Sequence, residues 1–170
     1  LVLMEKSRRL EVEFNIEGYP SPDFLEKVIS VGPDQCTLVP DPPEAITSNA
    51  GWDFEKHQDF LTEVTGQLQS AGIRVSLFLD PFTFSQLQLG ALSAIGPERI
   101  ELYTEKYALA FGGESEEMII QVYKDVSAQV NKLGIDINAG HDLNQKNLGR
   151  LIREIPMIKE VSIGHALFVE

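Results

Sequence analysis

The sequence has one cysteine in 170 residues, Cys36, so no internal disulfide is open to it. A lone thiol in an apolar run reads as a small buried strand residue, and a reducing cytoplasm is the setting that suits it. No run of 18 or more apolar residues occurs, which argues against a membrane-spanning helix. No signal-peptide pattern is read at the start. Cations are scarce too: 14 Lys and Arg stand against 26 Asp and Glu, a formal net charge of −12. Such a chain repels nucleic acid and anionic membranes, so neither is expected as a partner. An anionic substrate would have to be held by backbone N–H groups or by bases from another segment. Low-complexity stretches and linkers are missing as well. What is present, 43% hydrophobic residues, is enough for one core and predicts one domain over residues 1–170.

Runs rich in Val, Ile, Leu and Phe alternate with helix-like stretches. Strands are predicted at 11–17, 35–40, 73–80, 99–104, 134–139 and 160–163. Ser21 is placed to cap a helix whose first position is Pro22, running to about Ser30. Further helices are predicted at 53–71, 83–95, 115–133 and 144–154, the first showing Phe60, Leu61, Val64 and Leu68 on one face. Gly72, Gly96 and Gly134 stop three of them just before the next strand. The order is βα repeated, and runs such as Val75-Ser76-Leu77-Phe78-Leu79 suit parallel strands covered on both faces. The loop at 40–53 is long for a βα connection, and such loops often carry function.

Two of 3 histidines share a setting. His141 and His165 each follow a glycine that ends a short apolar run, and the Gly-His pairs lie 24 residues apart, the length of one βα unit. On parallel strands both imidazoles would emerge at the carboxyl edge, where ligands bind in α/β proteins, with the glycines admitting ligand or backbone closely. The other strand exits bring Glu17, Pro40, Asp80, and Glu101 with Thr104 to that edge, while Arg8, Arg9, Arg74, Arg99 and Lys159 precede or start strands. Asp80 before Pro81 reads first as a cap or turn former. Glu17 in Asn15-Ile16-Glu17-Gly18 reads equally as a partnered structural acid or as a base tuned by burial. Glu101 points opposite to Ile100 and Leu102, into the sheet interior, where a buried salt bridge or hydrogen-bonded acid is the structural alternative. His57, among Glu55, Lys56 and Asp59, reads as solvated. Glu17, Glu101, His141 and His165 are adequate metal ligands, but no short ligand spacing supports a metal site. Glycine loops at helix starts point instead to phosphate.

These residues resemble the pyridoxine 5′-phosphate synthase family. The resemblance rests on Asn15-Ile16-Glu17-Gly18, Cys36-Thr37-Leu38-Val39-Pro40, Ala45-Ile46-Thr47-Ser48, Arg74-Val75-Ser76-Leu77-Phe78, Arg99 to Glu105, Asn138-Ala139-Gly140-His141-Asp142-Leu143 and Glu160 to Ala166, in the family's order and spacing. It implies a (β/α)8 TIM barrel, here incomplete and covering about strands 3 to 8. It implies condensation of 1-deoxy-D-xylulose 5-phosphate with 3-amino-2-oxopropyl phosphate to pyridoxine 5′-phosphate, inorganic phosphate and water. Neither a metal nor an organic cofactor is implied, and a homo-oligomer is. Carried over by motif, Glu17 resembles the proton acceptor, His141 the proton donor and Glu101 the acid that stabilises the transition state. Thr47 resembles a contact to deoxyxylulose phosphate, and Asp142, Gly164 and His165 match positions that hold the aminoketone's phosphate, largely through backbone N–H groups. Replacing the His165 imidazole should therefore hurt less than replacing that of His141.

Two departures stand out. Some family members have Gly in place of Asp142, and a carboxylate beside phosphate would repel it, so the side chain must turn away or cap the following helix. The family's first two βα units, with their arginines and a further histidine, and its last helix have no counterpart here. The chain starts at Leu1 and ends at Glu170 inside an apolar run, so a partial sequence is expected. A non-catalytic barrel fragment and a metal-assisted barrel lyase or isomerase are the alternatives. No lysine is read at a strand exit, which disfavours a protein Schiff base.

Overall fold

In the computed structural model the described residues are 2–41, 50–164 and 166; Thr47 and His165 lie outside them. Chain order is α1 (Val2–Leu10), β1 (Asn15–Gly18), α2 (Pro22–Val31), β2 (Gln35–Leu38), α3 (Gln58–Ser70), β3 (Arg74–Leu79), α4 (Gln86–Ile95), β4 (Arg99–Tyr103), α5 (Glu105–Ala110), α6 (Glu116–Asn131), β5 (Asp136–Gly140), α7 (Leu148–Glu154) and β6 (Ile158–Ser162). All six predicted strands are present. Ser21 accepts from the Phe24 N–H, with Pro22 in the first turn as read. Gly72, Gly96 and Gly134 all have positive φ after their helices.

The differences have local causes. The first strand does not begin at residue 11. Glu11 takes a left-handed φ of 54° at the end of α1, and the polar alternation that follows leaves Glu13 free to bind Arg74 from outside the sheet. Three helices start later than predicted because an Asp or Asn first captures the backbone in a turn. The Asp53 carboxylate accepts from the Lys56 N–H before α3, Asp80 from the Phe82 N–H before α4, and Asn144 from the Lys146 and Asn147 N–H groups before α7. The short helices α1 and α5 were not anticipated.

The sheet is wholly parallel, in the order β1-β2-β3-β4-β5-β6. Right-handed crossovers that always advance in one direction put every connecting helix on one face. The other face is then covered only if the sheet curls round it. It does: Gln35 on β2 hydrogen-bonds Glu160 on β6 through their side chains at 3.5 Å. In a flat sheet those strands would lie about 19 Å apart, at about 4.8 Å per strand. The result is an α/β half-barrel of six parallel strands.

Alternation divides the strands cleanly. Cys36, Leu38, Val75, Leu77, Leu79, Ile100, Leu102, Ile137 and Ala139 form the buried core with Leu61, Val64 and Leu68 of α3. Phe60 packs on that core while partly buried. The inward side is polar. At the amino end of the strands, Arg74 binds Glu13 and Gln35, and Arg99 binds Gln35 and Glu160. Arginines read from the sequence as opposite the functional face thus fasten the interior's lower end. The thiol of Cys36 is fully buried, and desolvation pushes its pKa up to about 12, so it is inert at neutral pH.

Candidate active site

The carboxyl end of the strands is built differently. Glu101 lies on β4 with 2% of its surface exposed. Its inward direction follows from alternation, since Ile100 and Leu102 point into the helix-covered core. A side chain of that size fits because Gly140, on the neighbouring strand, has none: a Cβ there would lie 2.0 Å from Glu101 Oε1. The sequence suggested that this glycine admits ligand or backbone; it admits a carboxyl group. Desolvation pushes the Glu101 pKa up to about 8, nearby Glu17 and Glu160 add to the rise, and a hydrogen bond from Ser162 opposes it. Its second oxygen, Oε2, is buried without a hydrogen-bond partner among the described residues.

Glu17 is the inward residue near the end of β1. Its side chain reaches solvent on the open side of the half-barrel. Enough protein still surrounds the carboxyl for desolvation to raise its pKa above the ordinary range, opposed by His141 and aided by Asp41. Two carboxyl groups that disfavour each other's charge therefore share this interior with an imidazole.

His141 follows β5 directly. Its ring meets Tyr103 edge-on, with centroids 4.7 Å apart, and its Nδ1 lies 3.0 Å from Asp142 Oδ2. Both His141 (φ 88°) and Asp142 (φ 56°) have left-handed backbone, a conformation that costs a non-glycine residue of order 1 kcal/mol or more. The surrounding structure holds it. Thr104 Oγ1 reaches the carbonyls of Gly140 (2.7 Å) and His141 (2.5 Å), and Asn147 Nδ2 donates to the carbonyl of Asp142 at 3.1 Å. Asn147 is 2% exposed, and its carbonyl accepts from the Tyr107 hydroxyl. Of the two roles foreseen for Asp142, turning away or capping the next helix, the carboxylate takes neither of the capping bonds seen there and turns onto His141. The sequence did not reveal Asn147 or Tyr107 as supports. The Asn144-x-x-Asn147 spacing beside His141 was the signal available, since asparagines so placed make turns.

The two Gly-His pairs are not equivalent. Gly140 pairs with Ser162, so Gly164 stands two residues further along. A register shift between Ile137 and Asn138 accompanies the offset. Gly164 is exposed, and a Cβ on it would meet nothing within 4 Å, so its lack of a side chain has no packing cause among the described residues. Thr47 and His165 lie outside the described residues. The Trp52 N–H donates to the Phe78 carbonyl and its indole Nε1 to the Leu38 carbonyl. Gly51 lies so close to β3 that a Cβ would sit 2.0 Å from the Asp80 amide nitrogen. His57 is not simply solvated; its ring packs edge-on against Trp52 at 5.5 Å.

One lysine does stand at a strand exit, against expectation. Lys106, in the first turn of α5, pairs with Asp80 at 3.2 Å and lies over the Phe82 ring. α5 had not been foreseen, and with it this lysine was overlooked. Among the described residues no three His, Cys, Asp or Glu side chains are grouped to hold a metal ion, and no helix is long and apolar enough to cross a membrane.

Comparison with known proteins identifies a family for the chain. Residues 3–170 match the model of the pyridoxal phosphate biosynthesis protein PdxJ. The chain belongs to the PdxJ family. It is 51% identical over 158 residues to pyridoxine 5′-phosphate synthase of Cytophaga hutchinsonii, and 48% identical over 160 residues to that of Bacteroides thetaiotaomicron. Each alignment covers 93% of this chain and 65% of the relative, so the chain spans about two thirds of the length of the curated relatives it matches. Solved structures of low identity share the fold. A c-di-GMP complex of the phosphodiesterase PaMucR superposes with TM-score 0.60 at 9% identity, covering 93% of this chain and 62% of that one. Deoxyribose phosphate aldolase from Aeropyrum pernix does so with TM-score 0.54 at 9% identity, covering 88% and 60%.

Proposed function

We propose that this PdxJ-family chain is the larger part of a pyridoxine 5′-phosphate synthase, corresponding to strands 3 to 8 of a (β/α)8 barrel in a single domain. The reaction is condensation of 1-deoxy-D-xylulose 5-phosphate with 3-amino-2-oxopropyl phosphate, giving pyridoxine 5′-phosphate, inorganic phosphate and water. The observation that carries this reading is the gathering of Glu17 near the end of β1, Glu101 inward from the middle of β4 and His141 just after β5, with both carboxyl groups held above their ordinary pKa.

That equipment suits a ring closure with repeated proton transfers. Glu17, its basicity raised by desolvation, accepts a proton, and His141 returns one. Glu101, with a pKa of about 8, is protonated at pH 7 and so can donate a hydrogen bond to charge developing on a substrate oxygen. Gly164, His165 and the backbone of Asp142 hold the aminoketone's phosphate, and Thr47 contacts deoxyxylulose phosphate. The described exits are acidic on balance, with Lys106 engaged by Asp80. The remaining third of the barrel therefore supplies cations for two phosphorylated substrates, together with the strands that close it. A homo-oligomer in the cytoplasm, acting without metal or organic cofactor, completes the reading.

The test is product formation. The full-length protein, given both substrates, should yield pyridoxine 5′-phosphate identified by mass. Failure to form it with both substrates present at saturating concentration would refute the assignment.

A further inference from the structure

We infer that Ser162 of β6 is a positioning residue for Glu101: its hydroxyl reaches across the bare backbone of Gly140 and holds the Glu101 carboxyl for its work on substrate. This rests on the reading of Glu101 as the acid that stabilises the transition state.

Glu101 lies on β4 and Ser162 on β6, with β5 between them. Strands so separated lie about 10 Å apart in a sheet, and a side chain on the middle strand would ordinarily stand between their residues. At Gly140 none does: a Cβ there would lie 2.0 Å from Glu101 Oε1 and 3.0 Å from Ser162 Cβ. The two side chains meet in that gap, where Ser162 is hydrogen-bonded to the Glu101 carboxyl. Among the described residues Oε2 has no hydrogen-bond partner, so the carboxyl is held from the Ser162 side.

Ser162 faces inward because β6 is irregular. Ile137 pairs with Ile158, yet the next residue, Asn138, pairs with Glu160. β6 therefore carries one extra residue, Lys159, which is exposed. Beyond this bulge Val161 and Ile163 join Ile158 against the helix-covered core, and Glu160 and Ser162 turn to the interior. Without the extra residue the alternation would set Val161 opposite Gly140, and no hydroxyl would face Glu101. Bulges next to sites re-aim side chains in this way. The charged groups acting on Glu101 are Glu17 from β1 and Glu160 from β6, both raising its pKa, and Glu160 does so while paired with Arg99 of β4. Its register neighbours, Phe78 on β3 and Asn138 on β5, are uncharged. Against the two carboxylates Ser162 favours the ionised form, which keeps Glu101 acidic enough to bind a developing negative charge strongly.

The experiment uses the full-length protein and an infrared titration of the Glu101 carboxyl, its C=O band assigned by its loss in Glu101→Gln. The wild-type midpoint should lie near 8. In Ser162→Ala the midpoint should rise by about one pH unit, the worth of a hydrogen bond to a charged group. The variant's kcat at pH 7 should fall about tenfold, with KM for both substrates within about twofold, because a loosely held group loses interactions made only in the transition state. Ser162→Thr keeps a hydroxyl and should recover part of both changes. Should the alanine variant fail to fold, Ser162→Cys, a weak donor of similar size, is read in the same way. An unmoved midpoint or kcat, a loss confined to KM, or a threonine variant that behaves as the alanine one would overturn the inference. If instead Glu101→Ala keeps full activity, the reading of Glu101 as an acid in the reaction fails, and the titration still decides whether Ser162 holds its carboxyl.

Discussion

Glu101 occupies the space where Gly140 would carry a side chain. A Cβ on Gly140 would stand 2.0 Å from the Glu101 carboxyl oxygen and 3.0 Å from Ser162 Cβ, so three adjacent strands are fitted around one buried acid. Gly140→Ala should destabilise the full-length protein by about 1–3 kcal/mol, the usual cost of overpacking. The same change in a Glu101→Ala background should cost less, with a coupling of about 1 kcal/mol or more. Urea denaturation of the four proteins measures it, and additive effects would contradict the packing described.

The buried carboxyl also makes stability depend on pH. Below its ordinary value near 4.5, Glu101 is neutral in folded and unfolded chains and carries no penalty. Between 4.5 and about 8 the unfolded chain releases the proton and the folded one keeps it, so stability falls as pH rises. Above about 8 the loss is complete. Glu101→Gln removes this dependence. It should equal the wild type near pH 4.5 and exceed it at pH 8–9 by a few kcal/mol, at about 1.4 kcal/mol per pH unit. Denaturation midpoints across that range test this, and a difference that does not vary with pH would refute it.

Thr104 holds two carbonyls of the left-handed turn. Thr104→Val keeps the shape and removes the hydroxyl; the Gly140 carbonyl keeps the Thr104 N–H, but the His141 carbonyl loses this donor, at a cost of about 1–3 kcal/mol. Thr104→Ser should recover most of the loss. Thermal unfolding of the three proteins decides, and equal stability of the valine variant would show that the turn stands without the hydroxyl.

Two glycines near each other in sequence should behave oppositely on substitution by alanine. Gly51 abuts backbone atoms of Leu79 and Asp80 that cannot swing aside, so Gly51→Ala should cost about 3 kcal/mol. Gly66 lies within α3 with open space around it, so Gly66→Ala should stabilise by about 0.5–1 kcal/mol. A shared sign would contradict the placement of the 50–54 segment against β3.

Much of this was legible in the sequence, and the reasons differ by residue. The inward direction of Glu101 followed from alternation with Ile100 and Leu102, and the parallel sheet from nearly continuous apolar runs such as 75–79. The starts of α3, α4 and α7 were misplaced because Asp53, Asp80 and Asn144 capture backbone N–H groups before helical periodicity takes over. α5, at six residues, is too short for periodicity to mark it. The two-residue offset of Gly164 from Gly140 was hidden because register belongs to strand pairing: Gly140 faces Ser162. The contact of Asp142 with His141 was hidden because it depends on two positive φ angles at residues that rarely adopt them.

The central claim is that Glu17 and His141 perform proton transfers in a two-substrate condensation. Phosphate release from 1-deoxy-D-xylulose 5-phosphate by the full-length protein tests it most directly, run with and without 3-amino-2-oxopropyl phosphate in the wild type, Glu17→Gln and His141→Gln. The account predicts release only when both substrates are present, with each variant slower by about 10²–10⁴-fold. Release from one substrate alone, or variants as fast as the wild type, would contradict it.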